Sequence, residues 1–138
     1  MLIDFPIVCF ILAFSADVVY EAGLAGSDWS QFAYILLIVG IATAIAAAIA
    51  GLVEYSIIFD EETTQTANAH MTLNVMVLVL QVVNLSFRGY AKDNHYWRHG
   101  WILSLVSVVL IAISSWLGST LVYTHKMGFR NPVRPNNF

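Results

Sequence analysis

Four long apolar segments, separated by polar stretches, dominate the pattern of the chain. They run over about residues 5–23, 32–58, 71–87 and 101–123. A helix needs about 20 predominantly apolar residues to cross the hydrocarbon layer, with a range of roughly 17–25. The pattern therefore predicts four transmembrane helices, of which the second is long enough to tilt or to project from the membrane.

Four spans place both ends of the chain and the 59–69 loop on one side of the membrane, called the termini side. The 24–31 and 89–100 loops then lie on the opposite side, called the far side. We expect an all-α, antiparallel bundle of four transmembrane helices over residues 1–125. A short polar tail, residues 126–138, would run along the membrane surface or dock on a partner.

The third segment carries polar side chains on one side of a helix. At about 100° per residue, all of them fall within about 40° of the first. Such a stripe indicates a side that faces protein partners, whereas Met, Val and Leu face lipid. The members of the stripe are His70, Asn74, Gln81, Asn84 and Arg88.

The second segment carries a groove of small residues that would let another helix approach closely. Its glycines and alanines indicate tight packing rather than a ligand site. The groove ends at Glu54, and because an unpaired charge within the bilayer costs several kcal/mol, we expect this carboxylate to be neutralised or paired. The small residues are Gly40, Ala44, Ala47 and Gly51.

The fourth and first segments also carry inward polar positions. Ser107, Ser114 and His125 share one face of the fourth helix. Either serine could simply bond to a carbonyl of its own helix. Asp17 of the first segment is most simply a buried carboxylate with a polar partner. The candidate partners are Arg88, Gln81 and Asn84.

The composition narrows the possible functions. The 138 residues are 59% hydrophobic and 11% charged, with a mean hydropathy of +0.73, which is outside the range of soluble domains. A net charge of −3 gives no basic surface for nucleic acid. The single cysteine, Cys9, cannot form an intrachain disulfide, and we interpret it as a packing residue. The sequence has no G-x-S-x-G, phosphate-binding glycine loop or H-E-x-x-H, so a hydrolase is not indicated.

Two histidines and a carboxylate could converge near the termini side. The third helix begins there and the fourth ends there, so His70 and His125 lie at similar heights. Glu54 lies about one turn inside the end of the second helix. His95 and His99 fall in the far-side loop and are expected to be solvated or interfacial.

Four stretches carry a resemblance to a known family: DFPIVCFILAFSADVV, AAIAGLVEY, AHMTLN and SSWLGSTLVYTHKMG. With them, nearly all of the chain except the tail resembles a family of small bacterial predicted membrane proteins, catalogued as a domain of unknown function. The resemblance implies a four-helix membrane module. Some members are joined to Rieske-type or cytochrome domains, which suggests electron transfer.

The residues of the family pattern are matched in part. Its acidic residue and its two helix-end histidines correspond to Glu54, His70 and His125. Asp4 stands where the family has a histidine before the Phe-Pro pair, which removes a possible ligand. The resemblance implies the bacterial inner (cytoplasmic) membrane with cytoplasmic termini, although Lys and Arg flank both sides of this bundle equally.

These observations leave three hypotheses open. The first is an electron-transfer subunit that binds one b-type haem between His70 and His125, with Glu54 bonded to a ligand imidazole or to a propionate-bound water. The second gives the same three residues a non-haem iron, zinc or copper ion. The third is a non-catalytic structural or assembly subunit without a cofactor, in which His70 bonds to Tyr123 or Glu54.

The structural hypothesis assigns the remaining polar side chains to an internal network. The chain is not expected to be an enzyme on its own. Its expected partners are the lipid bilayer, other membrane subunits or a second copy, and a redox protein. A transporter is not indicated, because no internal repeat or broken helix pair is found. The network residues are Asp17, Asn74, Gln81, Asn84, Arg88, Ser107 and Ser114.

Overall fold

The computed structural model describes residues 4–24, 26, 28–56, 61–90 and 100–124, and within this part the chain is helical and without strands. The expected all-α bundle is therefore confirmed. The four helices are α1 (Asp4–Glu21), α2 (Asp28–Tyr55), α3 (Glu61–Tyr90) and α4 (Gly100–Tyr123).

Three of the helices, α2, α3 and α4, are long and apolar enough to cross a membrane. α1 is not among them, although its 18 residues would extend about 27 Å at 1.5 Å per residue. Its sequence includes three carboxylates, Asp4, Asp17 and Glu21, of which only Asp17 is buried. Length and composition thus support three of the four expected spans directly. The remaining helix, α1, packs beside them and turns Asp17 into the bundle.

A glycine ends α1 and turns the chain toward α2. Gly23 has a φ of +67°, a conformation that costs other residues more than glycine. Its N–H bonds to the carbonyl of Tyr20, and the N–H of Leu24 bonds to that of Val19. This pair of bonds is a Schellman cap, and the short connection that follows makes α1 and α2 an antiparallel hairpin.

α3 begins earlier than the hydrophobic pattern predicts. Residues 61–69 were expected in a loop, and that prediction is wrong, since the helix starts at Glu61. Glu61 and Glu62 lie in its first turn, where carboxylates interact favourably with the helix dipole. The Tyr55 hydroxyl donates a 2.8 Å bond to Asn68 Oδ1 and joins this polar N-terminal segment of α3 to α2. The hydrophobic pattern does not detect residues 61–69 as helical because most of them are polar.

The bundle is closed by four helix contacts. α1 packs most extensively on α2 and α3 on α4, and smaller contacts join α1 to α4 and α2 to α3. An apolar core drawn from all four helices fills the middle. Its members include Phe10, Ala13, Leu37, Ile41, Val77 and Ile111.

The small-residue groove of α2 is packed along only part of its length. Gly40 lies against the Phe10 ring, and a Cβ added there would be 2.6 Å from the ring's Cε1 atom. Around Gly51 a Cβ would meet nothing within 4 Å, and Glu54 is exposed. Tight helix packing is therefore found at Gly40. No partner for the second half of the groove, or for Glu54, is seen among the described residues.

Candidate functional site

α3 and α4 face each other along an antiparallel seam with a fixed register. The facing positions are four and three residues apart in alternation, which is the spacing of two helices that wrap around each other. Contacts between α3 and α4 fix the register at four pairs of residues. The alternating spacing then aligns two more pairs, which lie between them. The contact pairs are His70 with Gly118, Asn74 with Ser114, Asn84 with Ser104 and Arg88 with Gly100, and the aligned pairs are Val77 with Ile111 and Gln81 with Ser107. We call these twelve residues the α3/α4 seam.

A buried ion pair lies at the far-side end of the seam. Arg88 donates to both carboxylate oxygens of Asp17, with 2.8 Å between Nη1 and Oδ1, and both side chains are buried. Two parallel bonds of this kind are among the strongest that proteins make. The structure thus pairs Asp17 with Arg88, one of the three partners that the sequence allowed.

Serine and amide groups extend the ion pair into the bundle. The Ser104 hydroxyl donates to Asp17 Oδ2 at 3.0 Å, and Arg88 Nε donates to Asn84 Oδ1 at 3.0 Å. The Asn84 amide in turn donates to Ser104 Oγ at 3.0 Å and to Gln81 Oε1 at 3.2 Å. We call these five residues the far-side cluster, and its bonds join α1, α3 and α4.

A glycine makes room for the far-side cluster. A Cβ added to Gly100 would lie 3.0 Å from Arg88 Nη2 and 3.1 Å from Asn84 Oδ1. The absence of a side chain at the first residue of α4 thus lets the guanidinium approach the helix closely. The sequence analysis did not single out Gly100 or Ser104.

A second polar cluster surrounds His70 at the termini-side half of the seam. Its Nδ1 lies 2.8 Å from the Ser114 carbonyl oxygen, and its Nε2 lies 2.9 Å from Asn74 Nδ2. The Ser114 hydroxyl donates to Asn74 Oδ1 at 3.0 Å. Because the Asn74 amide nitrogen can only donate, Nε2 accepts and Nδ1 carries the proton that it gives to the carbonyl. We call His70, Asn74 and Ser114 the histidine cluster.

Gly118 provides the space that the imidazole occupies. A Cβ at this position would lie 3.0 Å from His70 Cε1. His70 is half-buried and Ser114 fully buried, whereas Asn74 is exposed at the edge of the seam. Neither Tyr123 nor Glu54, the partners expected for His70 in a structural role, is bonded to it among the described contacts; Tyr123 is 79% exposed.

An apolar layer separates the two clusters. Val77 and Ile111 face each other between them and are 3% and 6% exposed. Both belong to the core that Phe10, Leu37 and Ile41 also form. The polar stripe of α3 is therefore two networks rather than one continuous chain.

The predicted convergence of two histidines and a carboxylate is not found in the described part. His125 lies outside the described residues, as do His95 and His99. Glu54 is exposed on α2, and no group of three or more His, Cys, Asp or Glu suited to a metal occurs in the described residues. Both ring nitrogens of His70 are engaged, so that ligation of iron or zinc would require one of its bonds to break. The contacts of His70 do not fit an axial ligand, and haem remains a prediction.

The comparisons with known proteins give a family and nothing more specific. A family model described as predicted membrane protein (DUF2231) matches residues 1–131, which include all four helices. No curated protein and no solved structure matches the chain.

Proposed function

Since this chain belongs to the DUF2231 family of predicted membrane proteins, we propose that it is a non-catalytic structural subunit of a membrane assembly whose polar interior fixes the pairing of its helices. The observation that carries the proposal is the Asp17–Arg88 ion pair, bonded also to Ser104 and Asn84. One carboxylate of α1 thereby holds α3 and α4 at the same time. A buried polar group of this kind is known to specify helix register in some proteins.

The histidine cluster supports the same role. Each polar group of His70 and the Asn74 oxygen has a partner within the cluster, and the bonds cross from α3 to α4. Interhelical bonds between polar side chains are worth about 0.6 kcal/mol on average in membranes, up to about 1.7. Their main effect is therefore on the register of the two helices rather than on stability. If α3 and α4 paired in a shifted register, these groups would be left without partners in hydrocarbon.

The outer surface suits lipid and other membrane subunits. Large apolar side chains are exposed on all four helices, and the second half of α2 carries several that the described residues leave uncovered. Aliphatic side chains exposed on a span contact lipid or a neighbouring helix. We propose the bacterial inner membrane as the location, with both termini cytoplasmic. Among the large apolar residues of α2, the most exposed are Ile49, Leu52 and Val53.

The structural proposal is tested against cofactor binding by one preparation. The protein is produced with haem, iron, zinc and copper supplied, extracted in mild detergent, and examined by optical spectroscopy and metal analysis. We expect neither a Soret band nor a stoichiometric metal. A stoichiometric haem whose Soret band is lost in His70→Gln would overturn the proposal.

The structural role itself is tested by a matched pair of serine variants. Ser104→Ala removes a buried hydroxyl bonded to Asp17, so we expect the free energy of unfolding to fall by about 1–3 kcal/mol. Ser86→Ala removes an exposed hydroxyl bonded only to its own helix, at Val82, and should change it by less than about 0.5 kcal/mol. Equal effects of the two variants would contradict the role of the network.

The assembly is tested by the native mass after mild extraction into lipid discs. We expect a particle heavier than the 15.3 kDa chain with its lipid. A single chain per particle, obtained under several gentle extraction conditions, would remove the assembly from the proposal and leave only the internal network.

A further inference from the structure

Two fully buried polar atoms in the seam have no hydrogen-bond partner among the described groups. They are Nε2 of Gln81 and Oγ of Ser107, and both residues are 0% exposed. Leaving a buried donor or hydroxyl unpaired costs about 1–3 kcal/mol each, so two such atoms in one small region need an explanation. The register of the seam aligns Gln81 with Ser107, so both atoms belong to the same level of the bundle.

Their chemistry suits a water molecule. The Gln81 amide nitrogen offers a donor, and the Ser107 hydroxyl can both donate and accept. A water accepts from the first and exchanges a bond with the second. Buried waters in proteins typically make about three bonds to groups that otherwise lack partners. A cation is less suited, because Nε2 cannot coordinate one.

A chain of hydrogen bonds links this level to the far-side end of the bundle. A small cleft lies among the far-side ends of all four helices. The ion pair lines the cleft, and from there Ser104, Asn84 and Gln81 follow one another by hydrogen bonds toward the middle of the bundle. The residues that line it are Asp17, Tyr20, Glu21, Ser30, Arg88 and Trp101.

The chain of hydrogen bonds ends at the apolar layer. Directly beyond Gln81 and Ser107, Val77 and Ile111 close the seam together with the core. We infer that one water molecule is held between Gln81 and Ser107, at the inner end of the hydrogen-bonded side chains that lead from the far-side cleft and next to the Val77–Ile111 layer. This inference does not depend on the proposed structural role.

Water-edited solid-state NMR of labelled protein in bilayers tests the inference. Magnetisation is transferred from water, and its arrival is followed at the Gln81 side-chain amide, with Leu37 and Val77 as buried apolar controls. We expect the Gln81 signal to build up at least several-fold faster than the signals of either control. Build-up at Gln81 as slow as at Leu37 would overturn the water site, and this measurement needs no variant.

Ser107→Ala tests whether the serine holds the water. We expect the transfer to the Gln81 amide to fall by at least half while the spectrum elsewhere is unchanged. An unchanged rate would show that Ser107 does not hold the water and would overturn this part of the site. If Val77 receives magnetisation as fast as Gln81, water is not confined to the level of Gln81 and Ser107 and the proposed site is contradicted.

Discussion

The ion pair between Asp17 and Arg88 offers the sharpest test of the network. Arg88→Met keeps a flexible, unbranched apolar stem but leaves the buried carboxylate with the Ser104 hydroxyl as its one described partner. Removing one member of a buried pair typically costs about 3–5 kcal/mol, because the other charge stays buried without compensation. The same range applies to Asp17→Leu, which removes the carboxylate that the buried guanidinium binds.

The double variant should recover most of the loss. Replacing both charges by apolar side chains is often neutral or stabilising. Here the Asn84 and Ser104 groups each lose a bond, so we expect a net cost of about 1–3 kcal/mol. The two single costs add to about 6–10 kcal/mol. The coupling energy should therefore be at least about 3 kcal/mol.

Reversible unfolding in bicelles at neutral pH measures all four proteins of this cycle. Glu21→Leu serves as the control, because it removes an exposed carboxylate at the end of α1 and should change the free energy of unfolding by less than about 0.5 kcal/mol. If the two single costs simply add in the double variant, Asp17 and Arg88 do not interact in the membrane and the description of the far-side cluster is wrong.

Three further predictions concern the seam and its orientation. In Gly118→Ala the new Cβ would lie 3.0 Å from the His70 ring, so we expect the free energy of unfolding to fall by about 1–3 kcal/mol. In the control Gly51→Ala the new Cβ lies in open space, and the free energy of unfolding should rise by up to about 1 kcal/mol. Equal effects of the two variants would contradict the packing at Gly118. ¹⁵N NMR should find the proton of the neutral His70 ring on Nδ1, as the Asn74 bond requires, and a proton on Nε2 would refute the arrangement. Reporter fusions should place the C-terminus in the cytoplasm, and a periplasmic signal would reverse the proposed orientation.

The sequence predicts the inward face of α3 because polar residues are rare in a span and their angular positions are easily compared. Gln81, Asn84 and Arg88 are buried where the stripe places them, and His70 is half-buried. Asn74 shares the stripe but lies at its edge and is exposed, although it bonds to His70. An angular position indicates a direction and does not determine how deeply a side chain is covered.

Ser104 illustrates what the helical wheel omits. On a straight helix it lies about 60° from Ser107, outside the narrow arc that the sequence analysis considered. Helices that wrap around each other use positions spaced alternately three and four residues apart, so Ser104, Ser107 and Ser114 all face the partner helix. The predicted site at His70, His125 and Glu54 depended on helix ends meeting at one height, and height alone does not determine which neighbour a ring nitrogen selects. Here the nearest groups, Ser114 and Asn74, are the partners of His70.

The most direct measurement of the central claim is the distance between the Arg88 guanidinium and the Asp17 carboxylate in a lipid bilayer. With ¹⁵N-labelled arginine and ¹³C-labelled aspartate, dipolar recoupling should give a nitrogen-to-carbon separation under about 4 Å, as the 2.8 Å bond between Nη1 and Oδ1 requires. Arg88→Met provides the background for this signal. A separation too long to detect, in protein shown to be folded, would contradict the account that one carboxylate of α1 holds α3 and α4 together.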